Sequence, residues 1–266
     1  MKNKDIKLVD NEGKSLGYIS IKEAKKLINK GKAYFINKKK LCLKKKRGLY
    51  KIEIPRYSLS EELISAISHG IGVLLSIAIL VLCVVFSAIE HNVYAVVSTS
   101  IYAVTSIILY LVSTLYHSFK INKAKRFFRI IDHCSIYLLI AGTYTPYSLV
   151  TLREASPILG WSVFGVIWGC AVIGIIFTSI DMNKFKTPGM ILYLIMGWMI
   201  LFTFKTLMTN IDIKGIYLMV AAGVTYTIGA IIYGLGKKVK YMHSIFHLFV
   251  IIASLLFFFS IFFYVI

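Results

Sequence analysis

Charge is what this chain has least of. Only 16% of its 266 residues are Asp, Glu, Lys or Arg, and just 12 of those are acidic. A water-soluble domain of this length needs far more polar surface, so the scarcity excludes an ordinary soluble protein. Cysteine is scarce too. Cys42, Cys83, Cys134 and Cys170 show no CxxC spacing, and three of them fall in apolar runs, which excludes a disulfide framework and leaves them as small packing residues. The first 60 residues hold no short apolar run, so no cleavable signal is expected and the first long apolar run must itself direct insertion. The basic residues lack interleaved aromatics, which argues against nucleic acid as a partner.

What the chain has in abundance is hydrophobicity, at 58% of residues and a mean hydropathy of +0.74. Seven apolar runs stand out near 63–86, 93–117, 130–150, 158–180, 190–208, 213–235 and 242–265. As helices, each is long enough to cross roughly 30 Å of hydrocarbon. The run at 190–208 carries Lys205, which near a helix end can reach the interface along its aliphatic stem. The expected fold is an all-α integral membrane protein: a seven-transmembrane helix bundle over 58–266 with a small N-terminal appendage over 1–57.

The formal charge of +19 is unevenly placed. Residues 1–57 hold 18 of the 31 Lys and Arg. Beyond them, Lys120, Lys123, Lys125, Arg126 and Arg129 crowd one loop, Lys184 and Lys186 another, and Lys237, Lys238 and Lys240 a third. The alternate loops carry only Glu90 and His91, Arg153 and Glu154, or Asp212 and Lys214. Under the positive-inside rule this alternation puts the N-terminus in the cytoplasm and the C-terminus outside a cell membrane. It also equips the cytoplasmic face to attract anionic lipid headgroups.

The appendage is too polar to enter the membrane. Ile6–Val9 reads as a strand, Asp10–Gly13 as a turn, and Ile19–Asn29 as a helix with Ser20 as N-cap and Gly31 as its stop. Ala33–Asn37 and Leu41–Leu43 read as a hairpin, giving a small cytoplasmic α+β unit. Ser58-Leu59-Ser60-Glu61 is a capping box at the start of the first span. Pro146 predicts a kink in the third span and Pro157 a boundary before the fourth. Gly165 and Gly169 form a GxxxG that predicts close helix packing.

Given this topology, five of the six histidines fall at one membrane face, and ionisable groups at such depth are costly and usually functional. His243 and His247, spaced i, i+4, leave one helix face a turn apart, where both can bind one ion. His117 supplies a third imidazole from another helix. Three neutral imidazoles leave Zn²⁺ an open tetrahedral position, the pattern of catalytic zinc, at which water is acidified to a pKa of about 7. Asp132 can accept a hydrogen bond from that water or take its proton, and Ser113, one turn from His117, can orient a ligand or donate to an oxyanion. Alternatives stay open at each position. Asp132 can instead pair with Arg129, its i−3 neighbour. His133, adjacent to Asp132, cannot share its direction and is expected to meet lipid phosphates. His69 is a rival ligand, or packs behind the ligands. Ser113 can bond a carbonyl of its own helix.

At these residues the chain resembles the haemolysin III family. Ser113-Thr114-Leu115-Tyr116-His117 resembles its SxxxH motif. Arg129 to Ile136, continuing to Gly142-Thr143-Tyr144-Thr145-Pro146, resembles RxxDHxxI…G(S/T)xxP. His243 to His247 resembles HxxxH, and Ser68-His69-Gly70 the start of the first span. The likeness covers about 58–266 and leaves out the appendage. That family is the bacterial branch of the progestin and adipoQ receptor group, related to alkaline ceramidases. The resemblance implies zinc held by His117, His243 and His247, with Asp132 and Ser113 supporting the water beside it. It also implies metal-dependent hydrolysis of lipid amides or related bonds. Two other functions compete with a hydrolase of membrane lipid: a membrane-damaging cytolysin or pore former, and a receptor or membrane-homeostasis sensor stabilised by zinc.

Overall fold

The computed structural model describes residues 6–10, 12–37, 39–44, 52–236 and 239–266, in two compact units, Met1–Lys51 and Ile52–Ile266. In the first unit, β1 (Ile6–Val9) pairs antiparallel with β2 (Ser15–Ile19) and parallel with β4 (Lys40–Leu43). β3 (Ala33–Asn37) closes a hairpin with β4, so the sheet order is β2-β1-β4-β3. Helix α1 (Ile21–Asn29) covers the sheet and buries Ala24 against Ile6, Ala33 and Leu41. It begins with a complete capping box between Ser20 and Glu23, and Gly31 behind it takes a left-handed φ of 65°. Strand β2 was not expected. It is an edge strand with most side chains exposed, so it lacks the apolar alternation that marks a half-buried strand. In the turn before it, the Asp10 carboxylate accepts the Glu12 and Lys14 N–H groups; Asn11 lies outside the described residues.

The second unit is helical. Its elements are α2 (Leu59–Ile89), α3 (Val93–Ser118), α4 (Lys123–Pro146), α5 (Arg153–Ala155), α6 (Pro157–Asp181), α7 (Lys186–Trp198), α8 (Phe204–Asn210), α9 (Ile213–Leu235) and α10 (Met242–Tyr264). Among the described residues, six helices are long and apolar enough to cross a membrane: α2, α3, α6, the run Lys186–Asn210, α9 and α10. The seventh expected span, 130–150, is not one of these. It falls on α4, whose first turns carry Lys123, Lys125, Arg126, Arg129 and Asp132, and on the π-helical turn Tyr147–Leu152 that follows Pro146. The helix type therefore changes where the kink was expected, for proline cannot continue the hydrogen-bond ladder. The fifth span is interrupted as well, by a 3₁₀ turn at Met199–Thr203. Pro157 starts α6 behind its cap Ser156.

The unit is apolar outside and partly polar inside. Leu74 on α2 and Ile180 on α6 are 68% and 71% exposed, while serines and threonines line the helix contacts. Many of these hydroxyls are satisfied within their own helix: Thr105 and Ser106 both donate to the Tyr102 carbonyl at 2.9 Å, and Thr145 to that of Ala141 at 2.8 Å. This inversion suits a hydrocarbon solvent, in which an exposed polar group has nothing to bond. Tyrosines tie helices together through Ser254 on α10, which is reached by the Tyr110 hydroxyl at 2.9 Å and lies 2.8 Å from that of Tyr226. All four cysteines are free.

Helix α2 packs on α3 and α10, α3 on α4, α4 on α6, and α9 on α10, whereas α7 touches its neighbours sparingly. The expected close contact at Gly165 and Gly169 is not made, since a side chain at either would meet nothing within 4 Å. Tight crossings lie elsewhere, among them Gly174 of α6 against Tyr137 and Gly142 of α4, where a Cβ would collide with the Thr105 side chain of α3. Gly142→Ala is therefore expected to cost about 1–3 kcal/mol through overpacking, and Gly165→Ala to leave stability unchanged or slightly raised. Thermal unfolding in detergent measures both. Equal behaviour of the two variants would contradict the packing described.

Candidate metal centre

Three helix ends meet at one end of the bundle, and the sequence explains why they meet there. Ser58 caps α2, accepting the Glu61 N–H while the Glu61 carboxylate accepts the Ser58 N–H at 2.9 Å. The other carboxylate oxygen of Glu61 accepts the N–H of Tyr241, at 2.8 Å. Tyr241 is the left-handed residue (φ 65°) from which α10 starts. One turn on, the Ser244 hydroxyl donates to the Glu61 carbonyl and lies 3.1 Å from that of Ser65. The first two turns of α2 thus fix the start of α10, which carries His243 and His247.

His117, in the last turn of α3, completes a triangle with them. His117 Nε2 lies 3.4 Å from His243 Nε2, which lies 3.2 Å from His247 Nε2, and the three ligand atoms fall within 4.8 Å of one another. Zinc–nitrogen bonds of about 2.0–2.1 Å in tetrahedral array require N···N edges of about 3.3 Å, so two of the three edges already have that length. His117 and His247 are 4% and 2% exposed. Three imidazole nitrogens gathered in a buried space suit a borderline-soft cation.

The ring of His117 is held from behind. Its Nδ1 lies 2.7 Å from Glu62 Oε2, and Lys125 Nζ donates to Glu62 Oε1 at 2.5 Å. A carboxylate at Nδ1 keeps the proton there, which turns the Nε2 lone pair toward the other two histidines. Glu62 was not anticipated, because an acid in the first turn of a helix usually answers to the helix dipole. The available signal was its pairing with Glu61, of which the capping box uses only one. Tyr57, just before α2, stacks on His243 with ring centroids 4.7 Å apart and planes at 10°. Burial, followed by the neighbouring Tyr233, pushes the Tyr57 phenol above its ordinary range, so it remains neutral against the imidazole.

A cavity of about 230 Å³ opens beside the triangle and runs between α4, α7, α9 and α10. His243, His247, Asp132, Ser113 and His69 all line it. Ser113 is buried and lines the cavity close to the Asp132 carboxyl. Asp132 makes no salt bridge with Arg129 among the described residues, so the alternative ion pair is not formed. His133 corrects an expectation: it also lines the cavity and does not turn away from it, while its carbonyl accepts the Tyr193 hydroxyl at 2.7 Å. His69 stands outside the triangle, packed on His247. Lys237 and Lys238, expected on the loop before α10, lie outside the described residues.

The family model described as "Haemolysin-III related" matches residues 57–258. The chain is 42% identical to "Hemolysin-3" of Bacillus cereus over 78% of this chain and 93% of that protein. It is 39% identical to "Hemolysin-3 homolog" of Bacillus subtilis (strain 168), over 78% and 96%. At 29% identity it is similar to the human "Monocyte to macrophage differentiation factor", over 56% of this chain and 62% of that one. No solved structure matches.

Proposed function

The chain belongs to the haemolysin-III-related family, and on that premise we propose that it is a multi-pass membrane hydrolase that uses zinc to cleave lipid amide or ester bonds. The observation that carries the proposal is the imidazole triangle: two edges at zinc spacing, a carboxylate behind His117, and an apolar cavity beside it. His117, His243 and His247 would hold the ion. Bound zinc supplies Lewis acidity, lowering the pKa of water to about 7 and polarising a carbonyl.

The rest is done by side chains of this chain. Asp132 takes the proton of the attacking water as general base, and Ser113 fixes the carboxyl orientation in which it can do so. The cavity wall, built largely from Leu109, Ile136, Leu139, Met190 and Val250 with their neighbours, favours an apolar substrate chain and keeps bulk water away. In this proposal α4 and the turn after Pro146 form a seventh crossing, the N-terminus is cytoplasmic and the C-terminus outside, and the basic loops lie against anionic headgroups.

Asp132→Asn is expected to lower turnover by about 10²- to 10⁴-fold while leaving the metal in place. The test is hydrolysis of a panel of N-acyl and O-acyl lipids by metal-loaded protein in detergent. Bound metal with no turnover of any lipid class would favour a receptor or sensor in which the metal is structural. The name of the Bacillus cereus relative, Hemolysin-3, favours a further possibility, membrane damage. Dye leakage from liposomes that persists in His247→Ala would support a cytolysin over a hydrolase.

A further inference from the structure

Beside the three converging imidazoles lies a fourth. His69 is 3% exposed, and among the described residues neither of its ring nitrogens makes a well-formed hydrogen bond, the nearest polar neighbour being the backbone of His247. A neutral imidazole always carries one N–H donor and one lone pair, and burying both unmet is unfavourable. The ring is packed between two aromatic neighbours. It lies 3.8 Å from the His247 ring, centroid to centroid, tilted by 33°, and meets Tyr110 edge-on at 5.1 Å. His69 borders the same cavity as Ser113, Asp132, His243 and His247, yet it is not part of the group that could hold an ion.

These facts describe a donor held ready for something that enters the cavity. We propose that His69 donates its ring N–H to the oxygen of an acyl group bound beside the metal centre, making it a substrate-contacting residue specific for carbonyl compounds. The proposal rests on the metal-hydrolase function given above. Of the neighbouring polar groups, Glu62 is already engaged by His117 and Lys125. Stacking on His247 fixes the plane of the His69 ring, so the donor direction is set before the ligand arrives.

The probe is octanohydroxamic acid, a short acyl chain with a metal-seeking head, titrated calorimetrically into the metal-loaded full chain in detergent. Metal content is measured on every variant. His69→Phe keeps an aromatic ring in the stack and removes the N–H; it is expected to retain the metal and bind the probe on the order of tenfold more weakly. His69→Gln restores a donor and is expected to recover most of that loss, which also covers the case in which the Phe variant fails to fold. A metal-loaded Phe variant that binds the probe as tightly as wild type overturns the proposal. So does a Gln variant as weak as the Phe variant, or loss of metal on replacing His69. Wild type that carries no metal would instead overturn the metal centre itself, and this contact with it.

Discussion

His247→Ala is expected to lose its metal. Apparent binding free energies of structural zinc sites run to about 10–16 kcal/mol for four ligands, so one ligand represents roughly 3 kcal/mol and on the order of a hundredfold in affinity. His247 is the most buried of the three ligand candidates and shares its helix face with His243. His69, the nearest imidazole outside the triangle, lies against its ring. Hydrolysis should fall with the metal. His133→Ala is the matched control: His133 lines the same cavity without joining the triangle, and its variant should keep a full complement of metal. In every metal-binding variant, affinity should decline as the pH is lowered, because each proton taken up by an imidazole removes a lone pair the ion requires. Competition against a chelator of known affinity reads all three effects. Equal metal loss in the His247 and His133 variants would remove the distinction on which the site depends.

Glu62→Ala carries the second large effect, and it has two separable parts. The carboxylate orients His117, and removing such a partner typically lowers metal affinity by about 10- to 100-fold. It also neutralises Lys125, whose side chain is 2% exposed and which lies 5.0 Å from the centre of the Tyr116 ring. Removing one partner of a buried pair leaves an uncompensated charge, at a cost of about 3–5 kcal/mol. The partner Glu62 side chain is 18% exposed, which places the expected loss near the lower end. The double variant Glu62→Ala, Lys125→Met should recover the stability and none of the metal affinity. Melting temperature and chelator competition on the same samples separate the two parts. If the double variant regained its metal, Glu62 would be acting on Lys125 alone.

Much of this was legible in the sequence because a bilayer leaves few options. Hydropathy placed the first span at 63–86, inside the observed Leu59–Ile89, and the last at 242–265, against Met242–Tyr264. The same pattern, read through loop charge, brought His117, His243 and His247 to one end, which is where they meet. The N-terminal helix was marked by Ser20 and Gly31, both of which do what their positions imply. Other features were hidden for physical reasons. Hydropathy averages over about 20 residues and cannot show the 3₁₀ interruption at Met199–Thr203, which changes backbone hydrogen bonding and not apolar content. Gly165 and Gly169 looked like a packing motif, yet a motif does not say which side of a helix finds a neighbour; Gly142 and Gly174, outside that motif, make close crossings. The orientation of His133 was judged from adjacency to Asp132, and a cavity wide enough to accept both escaped that logic. Glu62 was missed because its partner lies 55 residues away in the chain. A buried carboxylate–imidazole contact leaves no periodic trace.

The central claim is that three imidazoles from α3 and α10 surround one ion. X-ray absorption at the zinc edge, on full-length protein purified in detergent with its metal content determined, tests it most directly. The account predicts one zinc per chain, with three imidazole nitrogens at about 2.0–2.1 Å and one lighter oxygen completing the shell. Protein free of metal, or zinc whose shell lacks imidazole, would contradict it.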